Sequence, residues 1–162
     1  MFFETITIMK QPTVVLVLLS VLVTLVYCDN VEKYKQIIAL VYKYSEKDVS
    51  QMLPLFDPNV NWVSYGPQNY TNVGYYKGRD GILKFFQDDA KVYTLTRVTP
   101  GPMIGEKNLV TVIGEEEGNM AVTNVPFVNH WVHLFEFNNS TLLITRFVQH
   151  LNNHVFPTPP SV

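Results

Sequence analysis

Between residues 129 and 151 the apolar and polar positions fall into a long β-hairpin. One strand covers 129–137, a turn sits at Asn138, Asn139, Ser140 and Thr141, and a second strand covers 142–151. Both faces of the first strand carry apolar side chains: Trp131, Phe135 and Phe137 share a face with His133, while Val132 and Leu134 share the other with His130 and Glu136. A sheet wetted on one side alternates cleanly, so this pattern predicts a covering layer on each face. Upstream, Tyr34, Ile37, Ile38, Val41 and Tyr42 recur at helical spacing and predict a helix over 31–46, its stripe widened by Leu40 and Tyr44. Asp48 and Gln51 form a capping-box pattern for a short second helix, which Pro54 limits to one or two turns. A turn at Asp57, Pro58 and Asn59 leads into a strand over 60–65. A third helix over 79–90 directs Ile82, Leu83, Phe85 and Phe86 to the core. Strands at 92–99 and 109–113 follow, separated by turn formers over 100–108, and Gly118-Asn119 is placed to reverse the chain. Three helices followed by antiparallel strands define an α+β fold.

Composition changes this picture at the two ends. Lys10 precedes an uncharged run, 14–26, and the chain turns polar at Cys28. Thirteen residues are too few to span ~30 Å of hydrocarbon, so residues 1–28 are expected to be a secretory signal peptide, leaving no stable membrane anchor after cleavage. The mature chain would then hold no cysteine and rely on its core rather than on disulfides. Residues 157–162 are a proline-rich tail expected to be disordered. The formal net charge of −2, with no basic run, argues against nucleic-acid binding. Three sequons begin at Asn69, Asn138 and Asn139, the last two at the hairpin tip, where at most one of the pair is expected to carry a glycan.

The segment Tyr75-Tyr76-Lys77-Gly78-Arg79-Asp80-Gly81-Ile82 with Phe85-Phe86 resembles a conserved stretch of SnoaL-like proteins. These are members of the nuclear transport factor 2-like superfamily, which includes ketosteroid isomerases. Asn124-Val125-Pro126-Phe127, the run 131–137 and Ile144-Thr145-Arg146-Phe147 extend the likeness over residues 31–151. The resemblance implies a domain over 29–156: a cone-shaped curved antiparallel sheet wrapped around a long N-terminal helix, with an apolar pocket inside. It also implies an outer sheet face available for homodimerisation. Family chemistry does not carry over with it. The general-base position of the isomerases falls on Trp62, and their oxyanion positions fall on Leu40 and His133. The last strand ends in Gln149, His150 and Asn152, amides and an imidazole where cyclases and epoxide hydrolases carry an Asp.

Candidate chemistry therefore centres on His133, either a general acid/base or ligand hydrogen-bonder, or a core histidine satisfied by a tyrosine or a carbonyl. Leu40, Tyr44, Trp62, Phe86, Trp131, His133 and Phe135 are the expected ligand-binding residues, and in the alternative view the aromatics among them are simply core. The acidic run Glu115–Glu117 is expected to be a solvated strand end. Arg79 and Asp80 are expected to serve the helix start. The histidines lack metal-ligand spacing, and neither a metal nor a cofactor is implied. Three functions remain: a secreted domain binding a small apolar or amphipathic molecule; an isomerase, cyclase or hydrolase of a polyketide-, steroid- or terpene-like substrate using His133; or a protein-interaction module using the outer sheet face.

Overall fold

The computed structural model describes residues 30–152, so the expected signal segment and the proline-rich tail lie outside the described residues. Helix α1 (residues 30–45) buries Tyr34, Ile38, Val41 and Tyr42, which recur at the four- and three-residue steps that keep one helical face toward the core. The Asp48 carboxylate accepts the Ser50 N–H and caps α2 (Val49–Met52). A 3-10 turn, Leu53–Leu55, accommodates Pro54 near its start, where no N–H is required. Six strands and one more helix follow: β1 (Phe56–Tyr65), β2 (Gly74–Lys77), α3 (Gly78–Asp89), β3 (Tyr93–Glu106), β4 (Leu109–Met120), β5 (Pro126–Phe137) and β6 (Ile144–Asn152).

The strands form one curved sheet in the order β2-β1-β6-β5-β4-β3, antiparallel except for the parallel pair β1 and β6. Helices α1 and α3 cover its concave face, which gives the α+β cone expected from the sequence. The hairpin of β5 and β6 lies at the centre of the sheet, with Trp131, His133, Phe135 and Phe137 all buried on the inner face.

Several strands are longer than the turn residues predict. β3 continues through Pro100 and Pro102, and the turn shrinks to Lys107 and Asn108. Because β3 is an edge strand, its prolines sit where missing N–H groups cost little, and a register shift between Pro100 and Met103 absorbs the irregularity. Gly118 does not reverse the chain either. It stays in β4, paired with Leu95 and Phe127, and its lack of a Cβ lets the Thr94 backbone approach closely; the reversal comes at residues 121–125. Asp57, Pro58 and Asn59 form the irregular start of β1, where the register against β6 shifts between Phe56 and Asn61.

Below the concave face, Trp131 is 1% exposed and lies flat over Gly114 of β4, so close that a Cβ on that glycine would overlap the indole ring. Tyr42 of α1 and His133 stack on the same indole, with ring centroids at 5.7 and 3.9 Å. Gly114→Ala is expected to destabilise the protein by about 2 kcal/mol through overpacking, whereas Val122→Ala on the exposed β4–β5 turn should be near neutral. Urea unfolding of both variants checks this; equal midpoints would contradict the packing described.

Candidate functional site

Beneath α1 and α3 the cone holds a half-open cavity of about 520 Å³. Trp62 and Phe147, with ring centroids 3.9 Å apart, form one wall together with Phe85 and Phe86 of α3. Val41 and Tyr42 contribute from α1, and His133, Phe135 and Gln149 from the central strands. Leu95, Thr96, Arg97 and Val98 of β3 also line the cavity.

Of the seven residues expected from sequence to bind a ligand, the structure brings four to this cavity: Trp62, Phe86, His133 and Phe135. Leu40, Tyr44 and Trp131 do not line it. Leu40 lies off the buried stripe of α1 and is 36% exposed. Tyr44 sits at the margin of that stripe, packed against the core. Trp131 is the floor under His133 rather than a lining residue. Phe85, Phe147, Tyr42 and Gln149 are lining residues beyond the seven.

His133 combines the two roles considered for it. Its Nδ1 lies 2.9 Å from the Tyr42 hydroxyl, while Nε2 has no hydrogen-bond partner among the described residues. Burial with no carboxylate to favour the cation pushes the imidazole pKa down to about 3, and burial also raises that of the Tyr42 phenol. Both rings are therefore neutral at physiological pH. When Tyr42 donates to Nδ1, the ring hydrogen sits on Nε2, and His133 offers the cavity a hydrogen-bond donor. A neutral imidazole with so low a pKa is a weak proton acceptor, which weighs against acid/base chemistry at this position.

Two carboxyl groups share the cavity, and sequence reasoning missed both. Asp89 ends α3 and accepts a hydrogen bond from Asn72 Nδ2 at 2.8 Å; Glu116 of β4 accepts one from Asn129 Nδ2 at 3.2 Å. The run expected to be a solvated strand end is split by the pleat. Glu115 and Glu117 are partly exposed and face Arg97, whereas Glu116 is 7% exposed. Burial raises the Asp89 carboxyl to about 6; burial first, and then the Asp89 charge, raise Glu116 to about 7. Spacing could have identified both. Asp89 continues the helical stripe Ile82, Phe85, Phe86, and Glu116 continues the inward alternation of Val110, Val112 and Gly114.

Neighbouring charges are otherwise accounted for. Asp88 accepts from Lys84 and Lys91 at 2.6 and 2.8 Å and is lowered to about 2 by those bonds. Arg79, expected at the helix start, donates to the Phe56 carbonyl and ties α3 to β1. Among the described residues no group of three His, Cys, Asp or Glu side chains is placed to hold a metal ion. The sequon residues Asn69, Asn138 and Asn139 are all exposed. At the hairpin tip, the Asn138 Oδ1 accepts the Ser140 and Thr141 N–H groups, and the Asn139 Oδ1 accepts the Tyr34 hydroxyl.

A curved sheet closed by helices over a side-chain-lined cavity is the architecture of the nuclear transport factor 2-like proteins. The SnoaL-like domain model matches residues 37–154, and the chain belongs to that family. Solved structures agree at the level of fold. A protein of the same superfamily from Burkholderia xenovorans superposes with a TM-score of 0.66 at 16% identity, over 76% of this chain and 92% of its own. TerC co-crystallised with polyporic acid matches with a TM-score of 0.66 at 22% identity, over 74% and 91%. A protein with a ketosteroid isomerase-like fold from Catenulispora acidiphila, in complex with trimethylamine, matches with a TM-score of 0.50 at 18% identity, over 61% and 71%. Among curated proteins there is no match to this sequence.

The raised carboxyl pKa has a definite consequence for stability. Between its unfolded value near 4.5 and its folded value near 7, Glu116 holds more proton in the folded state, so its contribution to stability falls as pH rises through that window. The Tm of Glu116→Gln relative to the native protein is therefore expected to rise from pH 4.5 to 7.5, corresponding to about 3 kcal/mol at most. Thermal unfolding across this range checks the sign; a difference that stays flat would mean that Glu116 is not held protonated.

Proposed function

We propose that this protein binds a small, largely apolar molecule inside its cone and that His133 hydrogen-bonds an oxygen of that molecule. The observation that carries this is the aromatic cavity with the unpartnered Nε2 of a buried, neutral imidazole on its wall. A buried polar atom without a partner is costly, and a ligand hydroxyl or carbonyl would satisfy it. Two neighbours of the same fold were crystallised with small molecules, polyporic acid in one and trimethylamine in the other, which fits this reading. Calorimetry with 1-naphthol as probe tests it. Saturable one-to-one binding is expected, weakened about tenfold by His133→Phe and unaffected by Val132→Ser on the outer face. Absence of saturable binding by the native protein would overturn the proposal.

A second reading makes the cavity an active site for an isomerase, cyclase or hydrolase. Its support is the placement of Glu116 and Asp89, whose carboxyl groups titrate near neutral pH within the aromatic cavity. In that case these carboxyl groups, rather than His133, would carry protons.

Secretion and assembly belong to the same proposal. The polar residue after Cys28, the exposed sequons and a row of exposed apolar side chains on the outer sheet face support a secreted, glycosylated homodimer. That row comprises Ile104, Leu109, Ile113 and Val132, between 39 and 65% exposed. Native mass spectrometry of protein secreted from a eukaryotic host should show a chain beginning at Asp29, glycan mass and a dimer. An unprocessed monomer without glycan would count against all three.

A further inference from the structure

Glu116 and Asp89 leave an unbalanced feature in the cavity. Each carboxyl group is held by one amide N–H, and neither pairs with a Lys or Arg side chain among the described residues. Arg97, the cation among the lining residues, pairs with Glu117 at 3.0 Å. The supporting amides lie behind the lining: Asn72 and Asn129 are 0 and 2% exposed, and the Oδ1 of each lacks a partner among the described residues. His133, 7% exposed with Nε2 unpartnered among the described residues, lines the same cavity and marks it as a ligand site, its N–H suited to an acceptor on the ligand's body rather than to a cation. Two acidic groups that line a cavity without a Lys or Arg partner among the described residues call for a positive one. The rest of the wall, Trp62, Phe85, Phe86, Phe135 and Phe147, is aromatic. Aromatic faces attract organic cations, whereas a bare divalent ion needs several more oxygen ligands than this wall supplies.

We propose that the cavity selects a small organic amine, with its ammonium group taken by Glu116 and Asp89 and its apolar body lying on Trp62, Phe86 and Phe147. This rests on the cone being a small-molecule site and names the class of molecule that it takes. Asp89 on α3 and Tyr93 on β3 lie close to Glu116, Tyr70 of the β1–β2 loop lies beside Tyr93, and Glu46 after α1, Arg97 on β3 and His133 on β5 line the same cavity. Of these, Asp89 and Glu46 reinforce the attraction, and the one cation, Arg97, is offset by its pairing with Glu117. Binding an ammonium favours the ionised carboxyl groups, so a proton leaves Glu116 for solvent as the amine enters, and amine affinity rises as pH rises through the carboxyl range.

Calorimetry with a matched series on the full mature chain tests this: 1-naphthylmethylamine, 1-naphthalenemethanol and 1-naphthoate. At pH 7.5 the amine is expected to bind about tenfold or more tightly than the alcohol, and the carboxylate more weakly than both. Glu116→Gln should remove about tenfold of the amine's affinity and leave the alcohol within about twofold, with Asp89→Asn acting in the same direction. In the native protein the amine's affinity should rise about tenfold from pH 5.5 to 7.5, with proton release visible as a buffer-dependent heat, so the test stands even if one variant does not fold. An amine that binds no more tightly than the alcohol overturns the amine assignment while leaving the small-molecule reading intact. Failure of all three probes to bind overturns both.

Discussion

The contact between Tyr42 of α1 and the Trp131–His133 stack of β5 is the joint on which the cone depends. It is where the helix meets the middle of the sheet, and it combines ring stacking with one buried hydrogen bond, 2.9 Å long. Removing either partner of that bond would leave a buried polar atom unsatisfied, at a cost of about 1–3 kcal/mol. The stack in turn requires Gly114, because no other residue lets the indole lie flat on β4. Once Trp131 is fixed, His133 can only face the cavity from one side, and α1 is held at the height that leaves space above the sheet.

That space is maintained at an electrostatic cost. The cavity keeps a neutral imidazole and two carboxyl groups away from water, so burial disfavours the charged form of all three. A fold selected only for stability would have filled such positions with apolar side chains, as it has at Val110 and Val112 on the same face of β4. The carboxyl groups are placed by rigid elements, the last turn of α3 and a strand flanked on both sides. The loop between β1 and β2 is pinned to them through Thr71, Asn72 and Tyr76. Polar groups held this firmly keep their orientation whether or not the cavity is filled.

Much of this was legible in the sequence. The helical stripe of α1 and the hairpin with its inward face follow from periodicity, because burial on one face forces it; the order of helices before strands holds only in part, since β1 and β2 precede α3. Four cavity residues were recognisable for the same reason. Legibility failed where one local signal stood for two physical situations. Pro100 and Pro102 read as a turn but lie in an edge strand, and the acidic run read as solvated although a strand must alternate its faces through it. Leu40 and Tyr44 show the reverse error: apolar character suggested lining, whereas position around the helix decided otherwise. Trp131 was correctly placed on the inner face, but only the close approach to Gly114 shows that it lies beneath His133 instead of lining the cavity.

The prolines of β3 also bear on the free edges of the sheet. An open sheet offers two free edges for strand addition. Here one edge is β2, four residues long, and the other is β3, whose Pro100 and Pro102 lack the N–H groups that a docking strand would need. Continuous edge-to-edge growth is thus discouraged at both ends of the sheet. The broad face of the sheet lacks this barrier, and any contact made there would be between side chains and limited by shape complementarity rather than by an extendable backbone ladder.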